Sequence, residues 1–140
     1  MTEISFSKTL SANDTGLTGG HQAGILVPKG DLELLAFFPF LDPAMENPSA
    51  WIDVTDEHGQ ERRLRYIWYN KKLHGTGTRN EYRITHLTGY LRGARPGDAL
   101  VFAGTPGSGR YRIHLEKAGG SDVAGGEPGV IQLSGWRRVH

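Results

Sequence analysis

The chain has 140 residues, 37% hydrophobic and 22% charged, enough for one domain with one core and too few for two ordinary ones. No cysteine is present, which excludes disulfide staples and thiolate metal sites, and the longest apolar run, residues 34–41, is interrupted by Pro39 and is too short to span a bilayer. The net charge of +1 hides an uneven distribution: residues 31–60 hold seven acids and no Lys or Arg, whereas residues 61–83 hold seven bases against two acids, a net of +5.

A concentrated basic segment suits a phosphate backbone, because each neutralised phosphate releases condensed counterions; a solvated strand face would carry the same charge equally well. The 20 glycines and 7 prolines point to many turns between short strands. No basic start followed by an apolar run marks a signal peptide, so the expected compartment is the cytoplasm, with no membrane partner.

In chain order, residues 1–10 alternate weakly, with Ile4, Phe6 and Leu10 on one side, and are expected to open the fold as a strand. Residues 11–22, SANDTGLTGGHQ, are almost wholly polar and turn-forming, and residues 23–27 form a short apolar strand closed by Pro28. A loop of that length is a functional candidate. Asp31 is suited to cap a short helix through Leu32, Leu34, Leu35 and Phe38, with Glu33 near its positive end and Pro39 stopping it. This helix is expected to plug the sheet.

Residues 51–55 and 64–69 read as strands on either side of a turn at residues 56–60, hence a hairpin. Residues 71–85, KKLHGTGTRNEYRIT, have too few apolar positions to pack and are expected to form a second long loop. Residues 99–103 are a continuous apolar strand, and the Pro-Gly-Ser-Gly turn at 106–109 leads into residues 110–117, where Tyr111, Ile113 and Leu115 alternate with Arg112, His114 and Glu116. Residues 118–129 contain five glycines and read as a surface loop, and residues 130–133 as a last strand. Seven or so short strands with one or two short helices predict a mainly β fold, a closed or nearly closed barrel that projects function from its loops.

No catalytic pattern survives inspection. The run from Gly104 to Gly109 has phosphate-loop spacing, but Arg110 and Tyr111 replace the Lys and Ser/Thr, and the glycines lead into a strand and not a helix. No Lys has an acid two positions before it, as a carboxylate-type nuclease centre needs. His114, Lys117 and Asp122 depart from the His-x-Lys-x4-Asp pattern by one residue between the His and the Lys, which moves the lysine to the other side of a strand. The six histidines form no close pairs for zinc, and Ser11 and Ser108 sit in no nucleophile elbow. Neither cofactor, metal nor catalytic centre is expected in this chain.

What remains is two polar loops dense in side chains that read base edges: Asn and Gln for adenine, Arg for guanine, Glu for cytosine. Residues 79–83, Arg-Asn-Glu-Tyr-Arg, hold three kinds of such reader. The alternative, a β-barrel enzyme or small-ligand binder, would use the barrel mouth and needs polar groups converging in one concavity.

The run from Leu10 through SANDTGLTGGHQ to Ala23-Gly24, with Pro28-Lys29 beyond the next strand, and later Tyr69-Asn70, Gly77-Thr78-Arg79-Asn80-Glu81 and Arg83-Ile84-Thr85, resembles the amino-terminal effector-binding domain of the EcoRII-type restriction endonucleases. The resemblance implies a DNA-binding pseudobarrel, similar to plant B-three-type domains, whose two arms grip the major groove of double-stranded DNA. It further implies a single domain over residues 1–140, monomeric when isolated, from a longer enzyme with a carboxy-terminal nuclease domain and a short CCWGG-like site.

Carried over, the first arm covers residues 8–22 and the second residues 71–85. His21 matches a contacting histidine, and Arg79, Glu81 and Arg83 match contacting charges; Gly77 and Tyr82 stand where lysines are expected. The candidate contacts are Lys8, Ser11, Asn13, Asp14, Thr15, His21 and Gln22 in the first arm, and Lys71, Lys72, His74, Thr76, Arg79, Asn80, Glu81, Tyr82 and Arg83 in the second. Arg79 and Arg83 suit guanine or phosphate, Asn13, Gln22 and Asn80 other base edges, Glu81 a cytosine amine, and Lys8, Lys71 and Lys72 phosphates.

Overall fold

A computed structural model describes residues 3–15, 24–118 and 135–140. Its elements are β1 (Ile4–Thr9), β2 (Ile25–Val27), α1 (Leu32–Phe37), β3 (Ser49–Thr55), β4 (Glu61–Tyr69), β5 (Glu81–Thr85), β6 (Ala99–Gly104), β7 (Arg110–Glu116) and β8 (Trp136–Arg138). The strands form one sheet in the order β2-β5-β4-β3-β7-β6-β1-β8. β3 and β7 pair in parallel, Asp53 opposite Arg110 and Thr55 opposite Arg112, and the other pairings among the described residues are antiparallel. The two edge strands meet where the Trp136 indole N–H donates to the Leu26 carbonyl at 2.9 Å, so the sheet curls into a nearly closed barrel. This is the expected β class, with eight strands and one short helix described.

The helix begins as expected: the Asp31 side chain accepts from the Leu34 N–H at 3.1 Å. It buries Leu34 and Phe37 and delivers Phe38 into the barrel, where its ring lies 5.1 Å from Tyr66, 5.5 Å from Phe102 and 6.2 Å from Trp136. The Tyr111 hydroxyl donates to the Phe37 carbonyl at 2.6 Å, which fastens this plug to the far wall. The β3–β4 hairpin also forms as expected. Asp56 takes the N–H groups of His58 and Gln60 on one carboxylate oxygen and Arg62 Nε on the other, and Gly59 turns the chain at φ +78.

Three expectations need correction or bounding. The second loop ends at Asn80, because residues 81–85 form β5: Tyr82 and Ile84 face inward, and the strand pairs with β2 on one side and β4 on the other. The final strand described is β8; the strand expected at residues 130–133, and most of the glycine-rich loop before it, lie outside the described residues. Residues 86–98, given no element from the sequence, turn so that Leu87, Tyr90, Leu91 and Ala94 are buried. Among the described residues no helix is long and apolar enough to cross a membrane.

Candidate nucleic-acid interface

The second arm leaves β4 after Tyr69 and returns at Glu81. Its root is Asn70, fully buried, whose side chain accepts from the Asn47 N–H at 2.7 Å and donates to the Met45 carbonyl at 2.8 Å. Beyond it the chain winds through tight turns, with the N–H groups of His74 and Thr76 both donating to the Lys71 carbonyl and that of Lys72 to the Arg79 carbonyl. Two further bonds buttress the arm against residues 43–46: His74 Nε2 donates to the Pro43 carbonyl at 3.1 Å, and the Thr76 hydroxyl to Glu46 at 3.0 Å. Lys71 and Lys72 are exposed, and the Lys71 stem packs over Gly77, where a Cβ would come within 3.0 Å of it.

Arg79, Glu81 and Arg83 stand on one side of the extended chain, as their alternation requires. The Arg79 guanidinium lies over the Tyr69 ring, 3.8 Å from its centroid, and donates to Glu81 Oε2 at 2.6 Å. Arg83 Nε donates to the same oxygen at 2.6 Å, and Arg83 Nη1 to the Gly24 carbonyl at 3.3 Å. Burial raises the Glu81 pKa, but the hydrogen bonds from Arg79 and Arg83 outweigh it and hold the carboxyl below its ordinary range. Glu81 is therefore an anion between two cations, with Oε1 held by neither. The Arg79 side chain is about half exposed, whereas that of Arg83 is 9% exposed and ties the second arm to the exit of the first.

The described part of the first arm is a closed turn. The Ser11 N–H donates to Asp14 Oδ2 and the Asp14 N–H to Ser11 Oγ, a reciprocal cap, with Asn13 inside the turn and the Thr15 hydroxyl on the Ala12 carbonyl. Lys8, 7% exposed at its side chain, donates to the same Asp14 oxygen at 3.0 Å and to the Thr9 carbonyl. His21 and Gln22 lie outside the described residues.

Of the expected contact residues, Lys71, Lys72, Arg79 and Glu81 thus gather on the outer side of the second arm, beside a pocket of about 340 Å³ lined by Asn47, Tyr69, Lys71, Thr78 and Arg79. Others are engaged within the protein. Asn80 accepts from the Trp68 indole N–H at 2.9 Å, and Tyr82 turns inward to stack on Trp68 at 4.8 Å and Tyr66 at 5.8 Å. The sequence reading missed Asn47 and the segment from Pro43 to Glu46; the signal available was only that Asn70 follows a strand whose next residues cannot pack. The barrel interior required by the small-ligand alternative is filled by Phe37 and Phe38. No group of three or more His, Cys, Asp or Glu among the described residues could hold a metal ion.

A family model described as "Restriction endonuclease EcoRII, N-terminal" matches residues 2–103. The chain is 45% identical over 83 residues to the type II restriction enzyme EcoRII of Escherichia coli, a match over 57% of this chain and 20% of that enzyme, so the chain spans about a fifth of the relative's length. A family match over most of the chain leads to one conclusion: the protein belongs to the family of EcoRII amino-terminal restriction-endonuclease domains.

Proposed function

We propose that this chain binds a short specific sequence of double-stranded DNA through two arms in the major groove, as the effector or target-recognition domain of a type II restriction endonuclease. The observation that carries the reading is the row of Arg79, Glu81 and Arg83 braced on Tyr69. A guanidinium with one nitrogen fixed and its plane stacked on a ring is pre-ordered for bidentate contact with guanine, and Glu81 Oε1 is a ready acceptor for a cytosine amine.

The arm roots support the same reading. The first arm returns at Gly24, beside Ile84 and Thr85, and the second ends at Asn80, so the two flank opposite ends of the five-residue β5. Five residues at the rise of a strand separate the two roots by roughly 13 Å along β5. In this arrangement Arg79, Lys71 and Lys72 meet the DNA, whereas Arg83 and Lys8 act as positioning residues, since both are buried against partners. First-arm contacts are assigned to Asn13, His21 and Gln22, the expected target is a CCWGG-like site, and cleavage belongs to a nuclease domain in the longer enzyme.

The test compares Arg79→Ala with Lys71→Ala on specific and random duplexes at one salt concentration. Arg79→Ala should cost about 1–3 kcal/mol on the preferred site and little on random DNA, whereas Lys71→Ala should weaken both alike. If Arg79→Ala also weakens both alike, the second arm grips without reading.

A further inference from the structure

The outer face of the barrel continues beyond the second arm. Thr85 pairs with Arg65, and Arg65 with Trp51, so the face that carries Glu81 and Arg83 on β5 runs across β4 onto β3. There Trp51, 50% exposed, lies against two guanidiniums, 5.8 Å from that of Arg65 and 6.0 Å from that of Arg63. The His86 ring meets it edge-on at 5.1 Å.

Each arginine is fixed through Nε: Arg63 on Asp53 at 3.2 Å and Arg65 on the Ser49 hydroxyl at 3.1 Å. The terminal nitrogens of both forks make no hydrogen bond to the described residues. Asp53 and Glu61 are the acids beside this patch, against Arg63, Arg65 and Arg110, the last standing in register with Asp53, so the patch is net positive. None of these side chains serves the core. Two forks held at Nε and backed by an indole have already lost much of their rotamer freedom, and therefore present ordered donors to an anion at little further entropic cost.

The direction of the duplex brings the anion. Arms that rise from opposite ends of β5 hold a duplex lying across the strands and not along them. From β5 to β3 is two strand spacings, roughly 10 Å, or about three base pairs of axial rise. We infer that Arg63 and Arg65, braced by Trp51, bind the backbone phosphates of duplex flanking the recognised site on the β3 side. The inference rests on the DNA-binding reading above and extends its footprint to residues outside both arms.

The experiment measures log K against log salt for two duplexes with the same CCWGG centre, one with about two flanking pairs on each side and one longer by about a helical turn on each side. Wild type is compared with Arg63→Gln/Arg65→Gln, Arg63→Lys/Arg65→Lys and Lys71→Ala. The Gln pair should reduce the salt slope by up to about two on the long duplex and leave the short duplex unchanged, while the Lys pair keeps the wild-type slope. A wild-type slope for the Gln pair on the long duplex overturns the inference and leaves the patch to a protein partner or to solvent. In that case the DNA-binding reading still stands if Lys71→Ala weakens both duplexes. A wild-type chain that binds neither duplex removes both.

Discussion

Asn47 and Asn70 each donate a backbone N–H to the other's side-chain oxygen, at 2.7 and 3.1 Å. The exchange places Asn47 in the left-handed region at φ 51, a conformation asparagine tolerates better than other non-glycine residues. It joins the segment before β3 to the root of the second arm, so the arm's orientation depends on a fully buried amide. Asn70→Ala removes that amide and orphans the Asn47 N–H and the Met45 carbonyl, at about 1–3 kcal/mol for each group left unsatisfied. Denaturant unfolding should register the loss, and specific DNA binding should weaken even though Asn70 touches no DNA. Wild-type stability for Asn70→Ala would mean that water replaces the amide and the root is not held as described.

The carboxylates predict the response to acid. Asp98 is held below its ordinary range by the backbone N–H groups of Arg95 and Ala118 and then by Lys117, with burial opposing. In Asp56 and Glu81 burial pushes upward and is outweighed, by Arg62 and the turn N–H groups for Asp56 and by the two arginines for Glu81. Groups lowered in the folded state contribute stability that is present above their ordinary values, 3.8 for Asp and 4.5 for Glu, and is lost as pH falls through the lowered values. Stability should therefore vary little on their account between about pH 5 and 7 and fall steeply below. Asp98→Asn should be less stable at neutral pH, with the gap to wild type closing in acid. Parallel curves down to acid unfolding would deny Asp98 this role.

How much of this was legible in the sequence depends on how local the cause is. The helix was visible because Asp31 caps it from three residues away, and the β3–β4 hairpin because Asp56 and Gly59 make the turn themselves. β7 was visible because its inward residues alternate without interruption. β5 was not: Tyr82 and Ile84 are too few to announce a strand, and the segment becomes one through β2 and β4 on its two sides. β8 buries only Trp136, whose indole reaches a carbonyl in β2, and is held in place by its pairing with the distant β1. The site divides in the same way. The chemistry of its residues could be read in advance, but which were already engaged could not, since Asn80, His74 and Thr76 find partners 12, 31 and 30 residues away.

The joint between the two arms can be tested at Gly24. Its φ of +80 suits glycine, and a Cβ there would stand 2.0 Å from the Ile84 carbonyl oxygen and 3.0 Å from Thr85 Cγ2. Gly24→Ala must therefore displace the start of β2 from β5, and with it the carbonyl that holds Arg83 Nη1. Gly59 in the β3–β4 turn is the control, because it shares the conformation at φ +78 but has nothing within 4 Å of its Cβ position. Gly59→Ala should cost about 1–2 kcal/mol from the left-handed backbone alone and leave DNA discrimination intact. Gly24→Ala should cost more than that, and because Arg83 loses its anchor, Glu81 and Arg79 should lose their fixed geometry and the preference for the specific duplex should shrink. Unfolding curves and paired affinities for specific and random duplexes measure both effects. Equal costs for the two variants, with discrimination unchanged in each, would mean that the close approach of Gly24 to β5 does not set the position of the reading residues.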